Sequence, residues 1–191
     1  NTLIKYGVNY RHQEIKPPVF FSAALSNPKK SDAGIYAEAI HDIGDFTLTG
    51  GLRYDHFDIK THDGKSVSDG TVNPSFGVIW QPHEHWNLSA SHNYASRSPR
   101  LYDALRQHGR RNAITKAERA RNTEIGFNYN NGNFAANGSY FWQKIKDAVA
   151  GPQQRHDAAG NPIAGVREIV NAGYIKNQGY ELGASYRTGG L

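Results

Sequence analysis

From Arg97 to Arg121 the chain carries eight cations, Arg97, Arg100, Arg106, Arg110, Arg111, Lys116, Arg119 and Arg121, against only Asp103 and Glu118. The whole chain has a formal net charge of +5, so the remainder is close to neutral and the basic balance is local. A concentrated positive field raises the local concentration of an anion and its on-rate. Arginine adds forked donors and a planar cation that stacks on aromatic rings. The stretch HNYASRSPRLYDALRQHGRR, residues 92–111, starts like a strand and ends in this crowd. Its candidate ligand-binding residues are Arg97, Arg100, Tyr102, Arg106, His108, Arg110 and Arg111. Arg106, Arg110 and Arg111 lie furthest into the connection and suit a ligand best, with a solvated charge cluster as the alternative. Arg97 and Arg100 flank Pro99 directly after the strand, where pairing with carboxylates such as Glu124 or Glu181 is the simplest role. Tyr102, Asp103 and Leu105 have the spacing of one helical turn packed on the base of the loop.

Other constellations carry less chemistry. His83, Glu84 and His85 share a tight turn, but they lack the helical HExxH spacing and a third ligand, so no metal site is expected. GGL and NNG are turn glycines outside any strand-to-helix context, far from a phosphate-binding loop. No Ser, His and Asp have a reason to converge, and an enzyme is not expected. Nucleic acid would account for the arginines alone, but it would favour basic strands over a single basic loop. The chain has no cysteine, which removes a disulfide framework and a thiolate metal site.

The elements that hold these residues read as strands. Only 38% of the chain is hydrophobic, yet it holds 11 Tyr, 3 Trp and 20 Gly, a balance that suits β-structure with aromatics at a polar–apolar boundary. About eight segments alternate with period two. Ile4, Tyr6, Val8 and Tyr10 share one face of the first, and Lys5, Gly7, Asn9 and Arg11 the other. Phe46, Leu48, Leu52 and Tyr54 oppose Thr47, Thr49, Arg53 and Asp55 in the third, and Thr123, Ile125, Phe127 and Tyr129 oppose Asn122, Glu124, Gly126 and Asn128 in the sixth. Residues 86–94 and 179–187 alternate as clearly, whereas 34–42, 73–81 and 134–143 do so more weakly.

The connections are sorted by length. Short turns fall near 43–45, 82–85 and 130–133, and long polar stretches near 13–32, 58–72, 96–120 and 144–173. Short turns on one rim and long loops on the other are the layout of outer-membrane β-barrels, with the short side periplasmic and the long side extracellular. Strands of roughly 9 to 11 residues or more cross a bilayer when tilted, and aromatics such as Trp80, Trp86, Tyr94, Tyr129 and Trp142 fall near strand ends, where two girdles would lie. No run approaches the roughly 20 apolar residues of a membrane helix. The opening NTLIKYG and the closing TGGL both look cut from something longer.

The segments DFTLTGGLRYDHFDIKTHDG, NPSFGVIWQPHEHWNLSASHNYASRSPRLYDAL and AERARNTEIGFNYNNGNFAANGSYF resemble the barrel of TonB-dependent outer-membrane receptors. Within them the resemblance is closest to the neisserial iron-regulated receptors for ferric enterobactin and similar catecholate siderophores. GGLRYD is a common phrase of such strands, while SRSPRLYDAL followed by the NTEIGF strand is more telling. The resemblance covers essentially the whole chain. It implies an all-β fold of antiparallel up-and-down transmembrane strands, about eight of a barrel of about 22, spanning residues 1–191 without the plug domain.

Further expectations follow from the resemblance. The protein would sit in the outer membrane of a Gram-negative bacterium and serve uptake of a ferric siderophore, an anionic complex with aromatic surface that matches the arginines and Tyr102. The siderophore fills the iron's coordination sphere, so no protein metal ligand and no resident cofactor is expected. Partners would be the siderophore, the TonB, ExbB and ExbD machinery through the plug, and outer-membrane lipid and lipopolysaccharide, whose phosphates Arg97 or Arg100 could bridge. Haem receptors of the same plan are the alternative, using a loop histidine such as His108. Here, however, the Arg-Ala-Pro-like box reads RSP, and KAERARNTE replaces the Asn-Pro-Asn-Leu-like box. A closed eight-strand barrel with an adhesin or structural role is the third reading.

Overall fold

The computed structural model describes residues 1–14, 16, 27–60, 66–100, 110–113, 116–156, 158–171 and 173–189. Eight long strands form one antiparallel sheet in chain order: β1 (Thr2–Glu14), β2 (Lys29–Ile43), β3 (Phe46–Lys60), β4 (Ser66–His83), β5 (Trp86–Arg97), β7 (Glu118–Asn130), β8 (Phe134–Lys146) and β11 (Tyr174–Tyr186). Three shorter strands, β6 (Arg110–Ala113), β9 (Val149–His156) and β10 (Pro162–Asn171), make a second sheet in the order β6-β10-β9. The fold is thus all-β and up-and-down, as the alternation predicts. Among the described residues no pairing joins β1 to β11, as closure into an eight-strand barrel would require. No helix among them is long and apolar enough to cross a membrane.

Local chemistry sets the tight turns. Gly44 has φ 56°, a left-handed value that costs glycine little, and closes the two-residue link from β2 to β3. Between β7 and β8, Asn131 Oδ1 accepts from the backbone N–H groups of Asn133 and Phe134 at 3.0 and 2.8 Å. Asn130 Oδ1 accepts from Gly132, whose φ is 94°. These side-chain bonds stand in for backbone turn bonds and fix the register of the hairpin. Pro82 falls where the β4–β5 register shifts between Trp80 and His83, a place where a missing N–H costs no ladder bond.

Register assigns every side chain to a face. On β3 the apolar face runs Phe46, Leu48, Leu52, Tyr54, and on β4 it runs Trp80, Val78, Phe76, Val72. Each set spans nine residues. Beyond them both faces change character. The formerly apolar side becomes His56, Asp58, Lys60, Gly70, Ser68 and Ser66, while the formerly polar side gains Phe57, Ile59 and Val67. Phe57 and Ile59 are buried there with Ala117, and Val67 packs against them. Below this point the apolar side stays open, with Tyr6 82%, Val8 77% and Leu182 74% exposed. Such a surface is far too large and continuous for contact with water alone.

The strands also reach further than the alternation suggests. β2 begins at Lys29 and β4 at Ser66, well inside the stretches 13–32 and 58–72 that read as loops. The inversion of the faces explains the difference, because a search for one constant apolar face stops at Tyr54 and Val72. The strands β6, β9 and β10 are absent from the sequence reading for a different reason. β6 pairs in parallel with β10, more than 50 residues away, with Arg110 opposite Arg167 and Ala113 opposite Val170. β9 contains a Gly-Pro pair that reads as a loop.

Candidate functional site

Polar groups converge on the polar face near the long-connection end. Arg53 Nε donates to Asp55 Oδ1 and Oδ2 at 2.8 and 3.0 Å, and its Nη2 donates to Asn9 Oδ1 at 2.6 Å. The guanidinium therefore reaches from β3 across β2 to β1. Gly34 makes the passage, since a Cβ there would lie 2.5 Å from both Arg53 Nη2 and Asn9 Oδ1. Asn73 Nδ2 donates to Asp55 Oδ2 and to Ser96 Oγ, and Thr71 Oγ1 donates to Ser96 Oγ at 2.7 Å. The result is a braced wall over β1 to β5.

The basic connection is tied down beside this wall. Regular β4–β5 pairing ends at Ser75 and Asn93, and strict alternation from Asn93 would bring Ala95 and Arg97 to the polar side. Instead Ser96 and Ser98 face it, because the upper ends of β5 and β7 lean over β2–β4. Lys30, only 6% exposed, donates to Ser98 Oγ at 2.7 Å, and Ser98 donates to Asp32 at 2.8 Å. Asp69 accepts from the Ala117 backbone N–H at 3.0 Å and from Arg119 Nη2 at 3.1 Å, and Arg119 also meets Asp147 at 3.6 Å. A cavity of about 80 Å³ is enclosed among Asn9, Asp32, Asp55, Asp69, Thr71 and Ser96. Its three carboxylates are already matched by Lys30, Arg53 and Arg119.

The expected site residues separate into three groups. Arg97 pairs with Glu118 Oε2 at 3.1 Å, not with Glu124 or Glu181. The inward lean of β5 and β7 is the reason, since it turns Arg97 and its register partner Glu118 to the side opposite Ser96. Glu124 and Glu181 instead line a separate groove of about 440 Å³ lower on the polar face, with Asn87, Asn128 and Asn137. Arg100 is exposed at the end of the described segment after β5. Arg110 and Arg111 occupy β6, opposite Arg167 and Glu168 of β10. Tyr102, Arg106 and His108 lie outside the described residues.

Sequence reasoning missed Arg53, Asp69, Ser96 and Ser98, each of which acts through a distant strand. Gly34 opposite Asp55 and next to Asn9 across the ladder was the one available signal for the Arg53 bridge. As for metals, among the described residues no three His, Asp or Glu come together in a way that could hold an ion. In the His83–His85 turn the two rings stand 5.2 Å apart, and His85 Nε2 lies 3.4 Å from Glu84. At the top of β1, Asn27 Nδ2 donates to Glu14 Oε1 at 3.1 Å and holds that carboxyl below its usual range, with smaller help from Lys29, Lys16 and His12.

An open up-and-down sheet with an exposed apolar face, an inverted pattern above it and a polar network inside defines a piece of membrane β-barrel. Residues 1–191 match the family described as TonB dependent receptor-like, beta-barrel, and the chain belongs to that family. The solved structures that the chain resembles are named as transporters and receptors. The chain is a homologue of the FrpB iron transporter from Neisseria meningitidis. It is 67% identical to the F3-3 variant, with a TM-score of 0.83 over 99% of this chain and 31% of that one. The F5-1 variant in its apoprotein form is 64% identical, with a TM-score of 0.82 over 99% of this chain and 32% of that one. The chain therefore spans about a third of the FrpB structures. A ferric enterobactin receptor mutant of Pseudomonas aeruginosa, bound to enterobactin, shares the fold at 20% identity, with a TM-score of 0.72 over 95% of this chain and 30% of that one. Comparison with curated proteins finds no match.

Proposed function

We propose that residues 1–191 form part of the outer-membrane barrel of a TonB-dependent receptor that takes up a ferric siderophore, with a catecholate complex as its cargo. The inversion of the two faces carries the membrane part of this reading. Nine residues of apolar face on β3 and on β4 match the length that a tilted strand needs to cross a bilayer. Above them the outer side turns polar where it would leave lipid, and the inner side packs a small core. The short turns then lie in the periplasm and the long connections outside the cell.

The local positive charge supports the cargo. A ferric catecholate is anionic and presents aromatic rings, which arginine meets by both charge and stacking. Resemblance to an iron transporter agrees with iron as the transported metal. A plug, moved by TonB, would gate the barrel. The intact receptor containing this chain should quench its tryptophan fluorescence on titration with ferric enterobactin. Exchange of Arg106, Arg110 and Arg111 for Gln should weaken this binding and flatten its dependence on salt. Unchanged affinity and salt slope would remove the basic connection from the site. Soret absorbance on adding haem, lost in His108→Ala, would replace the siderophore by haem.

A further inference from the structure

The His83–Glu84–His85 turn between β4 and β5 has no part in either the membrane span or the basic connection. Two neighbouring hairpins hold it in place. The Gln81 N–H donates to the Asp45 carbonyl of the β2–β3 turn at 2.8 Å, and the His85 carbonyl accepts from the Asn130 N–H at the end of β7 at 3.0 Å. The His85 ring stands edge-on to Tyr129, with centres 6.2 Å apart. Pro82, at the shift in register, stiffens the approach to His83. Both imidazoles therefore project from a braced backbone, His83 exposed and His85 half-buried, where a solute can reach them.

The two ring centres lie 5.2 Å apart and the rings are tilted by 53°. An imidazole nitrogen holds zinc at about 2.0–2.1 Å, so the ring centre lies about 3.2 Å from the ion, and two such rings at the tetrahedral angle stand about 5.2 Å apart. The observed spacing is that of two rings sharing one ion. Hydrogen bonding also directs the lone pairs. His83 Nδ1 accepts the His85 backbone N–H at 3.3 Å, which puts its lone pair there and its proton on Nε2. His85 Nε2 lies 3.4 Å from Glu84 Oε1, which favours the proton on Nε2 and leaves the lone pair on Nδ1. A carboxylate behind an imidazole is the arrangement that orients a metal ligand and raises its basicity. An ion between the two Nδ1 atoms displaces only the long 3.3 Å bond. Other histidines of the sheet bond to hydroxyls instead, His41 to Thr2 and His92 to Thr123, each at 2.7 Å.

We propose that His83 and His85 bind a divalent transition cation of the zinc class through their Nδ1 atoms, with Glu84 orienting His85 and water completing the tetrahedron. The sequence expectation of no metal at this turn rested on the missing third ligand. That absence excludes a closed structural site, whereas two imidazoles with open positions hold an exchangeable ion. Imidazole suits zinc, nickel and copper, while magnesium and calcium take oxygen ligands. The site is separate from the transported iron and does not depend on the identity of the cargo. Two imidazoles on one turn bind more tightly than one on the order of a hundredfold, because the second is already at hand when the first has bound.

The test uses the intact protein containing this chain, in detergent and stripped with a chelator, with zinc chloride as the probe and magnesium chloride as the control. Diethyl pyrocarbonate labels free imidazole nitrogens, and mass spectrometry of the tryptic peptide 66–97 reads His83, His85 and His92 individually. Zinc should protect His83 and His85 together, at one midpoint, while leaving His92 as it was, and magnesium should protect none of them. In His83→Asn the zinc concentration that half-protects His85 should rise on the order of a hundredfold. In Glu84→Ala it should rise about tenfold. Equal labelling of His83 and His85 with and without zinc overturns the proposal, and that comparison needs only the wild type. Protection of His85 at the same midpoint in His83→Asn overturns the shared ion, and an unchanged midpoint in Glu84→Ala overturns the orienting role of the carboxylate.

Discussion

Replacement of Asp69 by alanine should loosen the root of the basic connection without opening the barrel. Asp69 lies on β4, and its carboxylate accepts the Ala117 backbone N–H at 3.0 Å and Arg119 Nη2 at 3.1 and 3.3 Å. Ala117 is 3% exposed, so its N–H finds no ready replacement in water. A hydrogen bond from a buried amide to a charged acceptor is worth about 1.5–3 kcal/mol. The Arg119 side chain is 39% exposed, which limits its ion pair to under about 1 kcal/mol after solvent screening. Together they amount to about 2–3 kcal/mol, or about 30- to 150-fold in a local opening equilibrium. Hydrogen exchange on the intact receptor in detergent reads this directly. Amides around Ala117 should exchange faster by that factor in Asp69→Ala, while those in the middle of β3 and β4 keep their rates. Asp69→Asn retains a neutral acceptor and should lose about tenfold. Unchanged exchange near Ala117 in Asp69→Ala would refute the anchoring role.

Three further outcomes are expected. Ile125→Arg, on the apolar side of β7, should cost about 2–4 kcal/mol if it meets the bilayer midplane, whereas Ser89→Arg on the polar side of β5 should be tolerated, and urea titration of the refolded barrel separates them. Gly34→Ala should push Arg53 off Asn9 and cost about 1 kcal/mol by the same titration; an additional Asn9→Ala should then cost almost nothing, and equal losses in both backgrounds would deny the bridge. The Glu14 carboxyl is held below its ordinary value by Asn27, so the stability it contributes is complete above the usual glutamate pKa of about 4.3 and is lost as pH falls through the lower folded value. Protection factors at residues 27–30, taken against the intrinsic exchange rate at each pH, should fall across that window in the wild type, and Asn27→Ala should abolish the pH step.

Much of the molecule was legible in the order of its residues. Period-two alternation in TLIKYGVNYR and NTEIGFNYN gives strands with one apolar face, because a strand turns successive side chains to opposite sides. Gly44 and the Asn130–Asn133 run mark tight turns through glycine's backbone freedom and the short reach of asparagine. The concentration of arginine between Arg97 and Arg121 needs only counting. The barrel family was legible by resemblance, in phrases such as SRSPRLYDAL and the NTEIGF strand.

What local rules could not supply was partnership between distant strands. Whether Arg97 meets Glu118, Glu124 or Glu181 depends on the lean of β5 and β7 across β2–β4, and that lean arises from Phe57, Ile59 and Ala117 burying one another. The alignment of Arg121, Lys144 and Lys176 into one row depends on two ladder registers, which a slip of one residue in either would destroy. The pairing of β6 with β10 joins segments that share no local pattern. Sequence determined the alternation, the turns and the sign of the charge, because each arises within a few neighbouring residues. Tertiary structure decided which charges are paired and which face one another, since those depend on strands that meet only after the sheet has formed.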